Sequence, residues 1–294
     1  MKPNYENRTT KIVLYFVLII LGIGAYTYLD YINIMLLYDD AYTMRIVKHS
    51  FSDIYNITAG DVHPPLYYWA LKIYSLLVGA TIFAERSFST LGVLAIMLFA
   101  AFPLRKRFGD RIALLFITLI VFFPVTQFLA TEIRMYSWAV FLVLAAATFA
   151  YDAYVHSRWI DWVKLLLMAI AAAYIHYFAL MSVCWIFAVL LLVIVAGKKA
   201  KNKYFITLLV FIVSYIPWIA NVYSQIRAIK HLFFVNPFSF DDIYYHLYYF
   251  YSIKKEWLPI DDSIRIGLMY GVIAILLLQA VVCRLLAFFF SGGN

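Results

Sequence analysis

Hydrophobic positions in this chain neither alternate nor trace a single stripe; they fill long unbroken runs separated by short polar stretches. The runs cover residues 12–29, 66–83, 87–104, 112–129, 136–155, 159–178, 180–196, 204–222 and 264–288. Each is close to the roughly 17–25 residues that a helix needs to cross about 30 Å of hydrocarbon, where backbone amides must be satisfied within the helix itself. The pattern predicts an all-α, polytopic membrane protein. Connections are short except at residues 30–65 and 223–263, and no fixed-period repeat or low-complexity linker divides the chain. Residues 1–294 therefore read as a single transmembrane domain.

Composition agrees. The 294 residues are 65% hydrophobic and 14% charged, against roughly 45–50% and 25% in a soluble domain. The 25 Tyr, 25 Phe and 7 Trp suit aromatic belts at two membrane surfaces. Cys184 and Cys283 both fall inside apolar runs, which excludes a disulfide framework or a thiolate cluster. Lys2, Arg8 and Lys11 ahead of the first run resemble a signal peptide. That run, however, exceeds the usual 7–15 apolar residues and lacks a convincing cleavage site, so it is expected to stay as a first span.

Charge then sets topology. The net charge of +8 comes from basic residues in short loops between apolar runs, which orient helices and do not indicate nucleic acid. Three clusters stand out: Lys2/Arg8/Lys11, Arg105-Lys106-Arg107 with Arg111, and Lys198-Lys199 with Lys201 and Lys203. All three belong in the cytoplasm. They reach it together only if the run 66–83 does not cross. Lys72 among Tyr67, Tyr68, Trp69 and Tyr74 suits a helix lying on the membrane surface. The expectation is eight spans, both termini inside, a juxtamembrane helix within a first outer loop 30–86, and a second outer loop 223–263. Of the 16 acidic residues, all but Glu6, Asp110, Asp152 and Asp161 then face outward.

The candidate chemistry sits on that side. Asp39-Asp40 follows the first span; adjacent acids there cap a helix, or act as a general base with an auxiliary carboxylate. Asp61 and His63-Pro64-Pro65 end the first outer loop; the prolines stiffen a helix start, and His63 is structural or contacts a substrate or a metal. Glu132-Ile133-Arg134-Met135-Tyr136 is either a local ion pair or a phosphate site, since arginine forks onto paired oxygens. His176-Tyr177 closes an apolar run; with Asp61 on the same face, His176 makes a divalent metal site conceivable. The aromatic stretch 244–251 reads as an interfacial belt or a wall for a polyprenyl chain. No phosphate loop, dinucleotide fingerprint or zinc helix is present, so no nucleotide cofactor is expected and an activated donor must arrive within the membrane.

In order and sidedness, Asp39-Asp40, His63-Pro64-Pro65-Leu66-Tyr67-Tyr68, Arg86, Glu132-x-Arg134-Met135-Tyr136 and Tyr174-x-His176-Tyr177 resemble the GT-C membrane glycosyltransferases. The nearest group is the bacterial relatives of protein O-mannosyltransferases and the aminoarabinose transferase. The resemblance implies sugar transfer from a polyprenyl-phosphate donor to a cell-envelope glycan, lipid or protein acceptor on the extracytoplasmic face. It implies Asp39 as base, Asp40 as auxiliary, Arg134 at the lipid phosphate, and His63, Glu132, Tyr136 and His176 as substrate contacts. Here Asp-Asp replaces the family's common Asp-Glu. The competing expectation is a transporter, flippase or assembly subunit for polyprenyl-linked sugars. Transporters, however, usually place polar groups at the bilayer midplane in broken helices.

Overall fold

The structure is a computed structural model that describes residues 5–32, 36–197 and 200–232, with 267 and 270 singly. It is all-helical over these residues. The run 264–288, the aromatic stretch 244–251 and residues 233–263 lie outside this described set, 267 and 270 apart. The chain divides into two compact units, Met1–Phe122 with Leu129–Phe234 and a second that includes Phe123–Phe128; the helices and site below belong to the first, apart from the helix Pro124–Thr131, most of which falls in the second.

Five helical stretches among the described residues are long and apolar enough to cross a membrane: Thr10–Ile32, Ile82–Phe122, Tyr136–His156, Tyr177–Gly197 and Lys201–Ala228. In full the helices are α1 (Tyr5–Ile32), α2 (Tyr38–Ile46), α3 (Phe51–Ala59), α4 (Leu66–Val78), α5 (Ile82–Phe99, running on through a π-helical turn Ala100–Leu104), α6 (Arg105–Phe122), α7 (Pro124–Thr131), α8 (Tyr136–His156), α9 (Trp159–Ile175), α10 (Tyr177–Gly197) and α11 (Lys201–Leu232).

The long stretch Ile82–Phe122 is continuous in sequence but reverses in space. Asp30 meets Thr90 (2.7 Å), Gly22 packs on Met97, and Tyr15 lies under Arg105, so α5 runs antiparallel to α1. Lys11 pairs with Asp110 (3.1 Å) and Tyr26 donates to the Ile120 carbonyl (2.7 Å), so the later part of α6 runs parallel to α1. The reversal falls at Gly109, whose φ of +83° is open to glycine and strained for other residues. The run expected at 112–129 is itself broken at Phe123. Pro124 opens a new helix because its missing N–H costs nothing at a first position.

The remaining rods alternate in direction. Trp138 bonds the Phe88 carbonyl at one end of α8 (2.9 Å), while Arg107 grips Asp152 near the other. Trp162 meets Tyr204 and Tyr174 bonds Ser214, so α9 and α11 are parallel; Tyr204 bonds Phe187 and Tyr177 bonds Gln225, so α10 opposes α11. Lys11, Arg105, Arg107, Arg158 and Lys203 gather at one end, called the basic end. Asp30, Asp40, Asp61, Glu85 and Glu132 gather at the opposite, acidic end.

Packing follows the composition. Ala145, Ala146, Ala150 and Ala153 of α8 and Ala169, Ala172 and Ala173 of α9 are buried. Small side chains let two backbones approach closely where apolar surroundings give no hydrophobic drive between helices. Gly92 does the same between α5 and α8, since a Cβ there would collide with Ser137. On α10, which carries no charge, Ala179, Val183, Phe187, Leu190 and Ile194 face the core at helical spacing while Phe178, Trp185 and Leu192 face outward.

Several expected bounds change. α4 ends at Val78, not 83, because Gly79 adopts φ +109°. Its partners, Val47, Phe51, Glu85 and Ser87, all lie at the acidic end, so α4 does not run the length of the bundle. Tyr67 and Tyr68, expected at an interface, are fully buried beneath it. The first connection is shorter than 30–86, since α1 continues to Ile32 and α5 begins at Ile82; it is also mostly helical. The second does not begin at 223, because α11 continues to Leu232 and Gln225 is tied to α3 through the Thr58 carbonyl (2.9 Å).

Candidate active site at the acidic end

The first turn of α2 carries Asp39 and Asp40, where the helix dipole favours negative charge. Neither is the cap; Leu37 holds that position without a side-chain bond. Successive helical residues point about 100° apart, and the two acids separate accordingly. Asp40 turns inward and is fully buried. It accepts from the Arg86 guanidinium (3.3 Å) and the Ile133 amide (2.8 Å). Asp39 turns outward with its side chain 56% exposed, 3.7 Å from Arg134.

The segment between α7 and α8 is held just as specifically. Ser89 donates to the carbonyls of Glu132 (2.5 Å) and Arg134 (3.3 Å), and the Arg134 amide donates to the Glu132 carbonyl (2.8 Å). Arg134 is buried, and its guanidinium fans toward Thr43 (3.5 Å), His63 Nε2 (3.3 Å) and Asp39. It also lies 5.9 Å above the Tyr136 ring. Asp40 thus docks α2 onto the backbone that presents Arg134, and Asp39 and Arg134 come out as neighbours although 95 residues separate them.

His63 lies between this pair and a second acid. Its Nδ1 is 3.6 Å from Asp61 Oδ2. Burial pushes the Asp61 carboxyl up, but the contacts with His63, the Val62 amide and the Tyr42 hydroxyl outweigh it and hold the group below its ordinary value. Burial also raises Tyr42, to about 12, so it remains a donor. His176, in the turn between α9 and α10, has its ring 5.6 Å from His63 and 5.8 Å from Tyr136. Its Nδ1 accepts from the Phe178 amide (3.2 Å), which leaves any proton on Nε2. Burial, aided by the nearby His63 and Arg134, lowers its pKa to about 4 and keeps the ring neutral.

Asp39, Asp40, Asp61, His63, Glu132, Arg134, Tyr136 and His176 therefore share one region, with Glu132 contributing its backbone carbonyl to the turn. Among the described residues, no group of three His, Cys, Asp or Glu side chains is arranged to hold a metal ion. Both nitrogens of His63 face other partners, Arg134 and Asp61. α11 walls one flank: Trp218 donates to Tyr177 (3.0 Å), and Asn221 to Tyr55 (3.2 Å).

Sequence reasoning gave no role to Asp30, Tyr42, Thr43, Glu85 or Ser89. Asp30 is bonded to Thr90 and Glu85 to Ser75 (3.4 Å), both buried. A charged pair, Glu85-Arg86, opening an apolar helix is itself a signal, since ionisable groups at such a place face a partner or a site. Compared with family models, curated proteins and solved structures, the chain matches none.

Proposed function

We propose that the chain is an eight-span integral membrane glycosyltransferase of the GT-C kind, with its acidic end on the extracytoplasmic face. It transfers a sugar from a polyprenyl-phosphate donor to a hydroxyl acceptor with inversion. The observation that carries this reading is the pairing of an exposed carboxylate, Asp39, with a buried arginine, Arg134, each fixed by the same Asp40–Arg86–Ile133 anchorage. Seven alternating rods among the described residues, with α4 packed at the acidic end, are consistent with Lys11, Arg105–Arg107 and Lys201/Lys203 on the cytoplasmic side.

In the proposed reaction Asp39 takes the proton of the acceptor hydroxyl as that oxygen attacks the anomeric carbon. The bond to the polyprenyl phosphate breaks on the opposite face. The leaving group departs as a stable phosphate monoester anion, so it needs no acid; Arg134, released from Asp39 once a phosphate arrives, stabilises the charge. A metal ion is not required by these steps. Tyr136, His63 and neutral His176 line the region beside Arg134 and supply ring faces and donors suited to a sugar.

The test separates the two roles. Asp39→Asn retains donor affinity while single-turnover rate falls by at least about 100-fold, the lower end for a lost base. Arg134→Ala weakens donor binding as well, because the charged pair to phosphate exists in the ground state. Near-normal turnover in both Asp39→Asn and Asp40→Asn contradicts the mechanism and moves weight to transport of the same lipid-linked sugars.

A further inference from the structure

α4 is held to its neighbours by bonds that leave one of its polar groups unused. Trp69 donates to the Phe51 carbonyl (3.0 Å), Lys72 donates to the Val47 carbonyl (3.2 Å), and Tyr74 shares a hydrogen bond with Ser87 (2.6 Å). None of these involves Tyr68. Its ring is fully buried and meets that of Tyr67 edge to face at 5.7 Å, so a phenylalanine would fill the same space. Among the described residues the Tyr68 hydroxyl has no hydrogen-bond partner, and a buried hydroxyl without one is destabilising. Packing does not explain why it is there.

Its surroundings do. The groups whose charge acts most on the hydroxyl are Arg134, Asp61, Tyr42 and Asp39, all members of the site. Tyr68 is in turn the neighbour that acts most on Arg134. Burial holds its pKa well above the ordinary value, so the group is a donor. A second donor beside it, Arg134 Nε, is also buried and without a bond. Two further unbonded atoms here, Asp61 Oδ2 and His63 Nδ1, face each other at 3.6 Å, and Asp61 already receives the Tyr42 hydroxyl. The two donors are thus left without an acceptor, next to a guanidinium whose carboxylate neighbour Asp39 stands 3.7 Å away and more than half exposed. Convergent donors around a loosely paired guanidinium fit an anion with several oxygens.

We propose that the Tyr68 hydroxyl binds the phosphate of the lipid-linked donor beside Arg134, donating to one oxygen while the guanidinium takes the others. The inference rests on the reading of Arg134 as the phosphate site. The phosphate keeps these oxygens when the sugar leaves, and a donor aimed at them acts more strongly as their charge grows. Tyr68 therefore serves both donor binding and turnover.

The test uses the full chain in detergent, with a short-chain polyprenyl phosphate and the matching polyprenyl alcohol as probes. Wild type should bind the phosphate more tightly than the alcohol. Tyr68→Phe should weaken phosphate binding by about ten-fold or more, the scale of a hydrogen bond to a charged group, and leave the alcohol affinity unchanged. Its unfolding temperature without ligand should equal or exceed that of wild type, because the change deletes an unbonded hydroxyl and no contact. A lowered unfolding temperature assigns the hydroxyl to structure and overturns the proposal. So does a preference for phosphate that wild type shows and Tyr68→Phe keeps in full; Arg134 then stands as the phosphate site without Tyr68. Equal binding of phosphate and alcohol by wild type removes the phosphate reading of Arg134, and this inference with it.

Discussion

Asp39 and Asp40 are neighbours of identical chemistry, and the structure predicts that replacing them fails in different ways. Asp40→Asn removes the charge facing Arg86, both side chains being about 1% exposed. Removing one member of a buried pair costs about 3–5 kcal/mol, because the surviving charge stays buried. Asp30 provides further negative charge near Arg86, so the lower end, about 3 kcal/mol, is expected. Asp39→Asn breaks only a 3.7 Å pair whose carboxylate is more than half exposed, worth at most about 1 kcal/mol. Activity should show the reverse ranking per folded molecule: a loss of at least about 100-fold for Asp39→Asn, and a smaller loss for Asp40→Asn. Thermal unfolding followed by intrinsic fluorescence in one detergent, beside single-turnover assays normalised to folded protein, reads both quantities. The double change Asp40→Leu/Arg86→Met should recover part of the stability lost in Asp40→Asn, since it removes the buried guanidinium together with its partner carboxylate, though Asp30 and the Ile133 amide then each lose a partner. Equal destabilisation by Asp39→Asn and Asp40→Asn, or an unaltered unfolding temperature in Asp40→Asn, refutes the inward and outward assignment.

Cysteines placed at Asp53 and Lys201, in a background lacking Cys184 and Cys283, should react with an impermeant reagent from outside only at 53; labelling at 201 and not at 53 reverses the topology. Exhaustive chelation should leave turnover within about two-fold, because the Arg134 guanidinium 3.3 Å from His63 disfavours a cation there; loss restored by a divalent ion would place a metal at Asp61 and His176. His176 carries a folded pKa of about 4 against an ordinary 6.5, so its contribution to stability is complete above pH 6.5 and is lost as pH falls toward 4, by at most about 3 kcal/mol. His176→Gln should flatten that slope in unfolding temperature measured across the range.

The long helices were legible because lipid-crossing segments must be apolar for their whole length, and eight of the nine runs fall on described helices. What the sequence hid were the places where the backbone ends or turns. Gly79 and Gly109 act through positive φ, and a lone glycine in an apolar run does not announce that conformation. α2 and α3 escaped because nine residues make only about two to three turns, too short to stand out beside the long apolar runs. The grouping of Asp39, His63, Arg134 and His176 was anticipated from their order and common side. The choice of Asp39 as base came only from the resemblance; that Asp40 turns inward depends on the rotation of α2, set by Arg86 and the Ile133 amide far along the chain. Tyr67 and Tyr68 looked interfacial for a related reason: an aromatic belt and an aromatic core have the same composition.

Asp39 and Arg134 are proposed to act on a sugar carried by a polyprenyl phosphate. The measurement that addresses this proposal most directly is consumption of donor by purified protein, offered a panel of radiolabelled polyprenyl-phosphate sugars with membrane extract as acceptor source. At least one donor should lose its label to a new product, with release of polyprenyl phosphate, and Asp39→Asn should leave that donor bound but intact. If every donor survives with the wild-type protein, or if label crosses the bilayer still attached to its lipid in proteoliposomes, the glycosyltransferase reading is wrong.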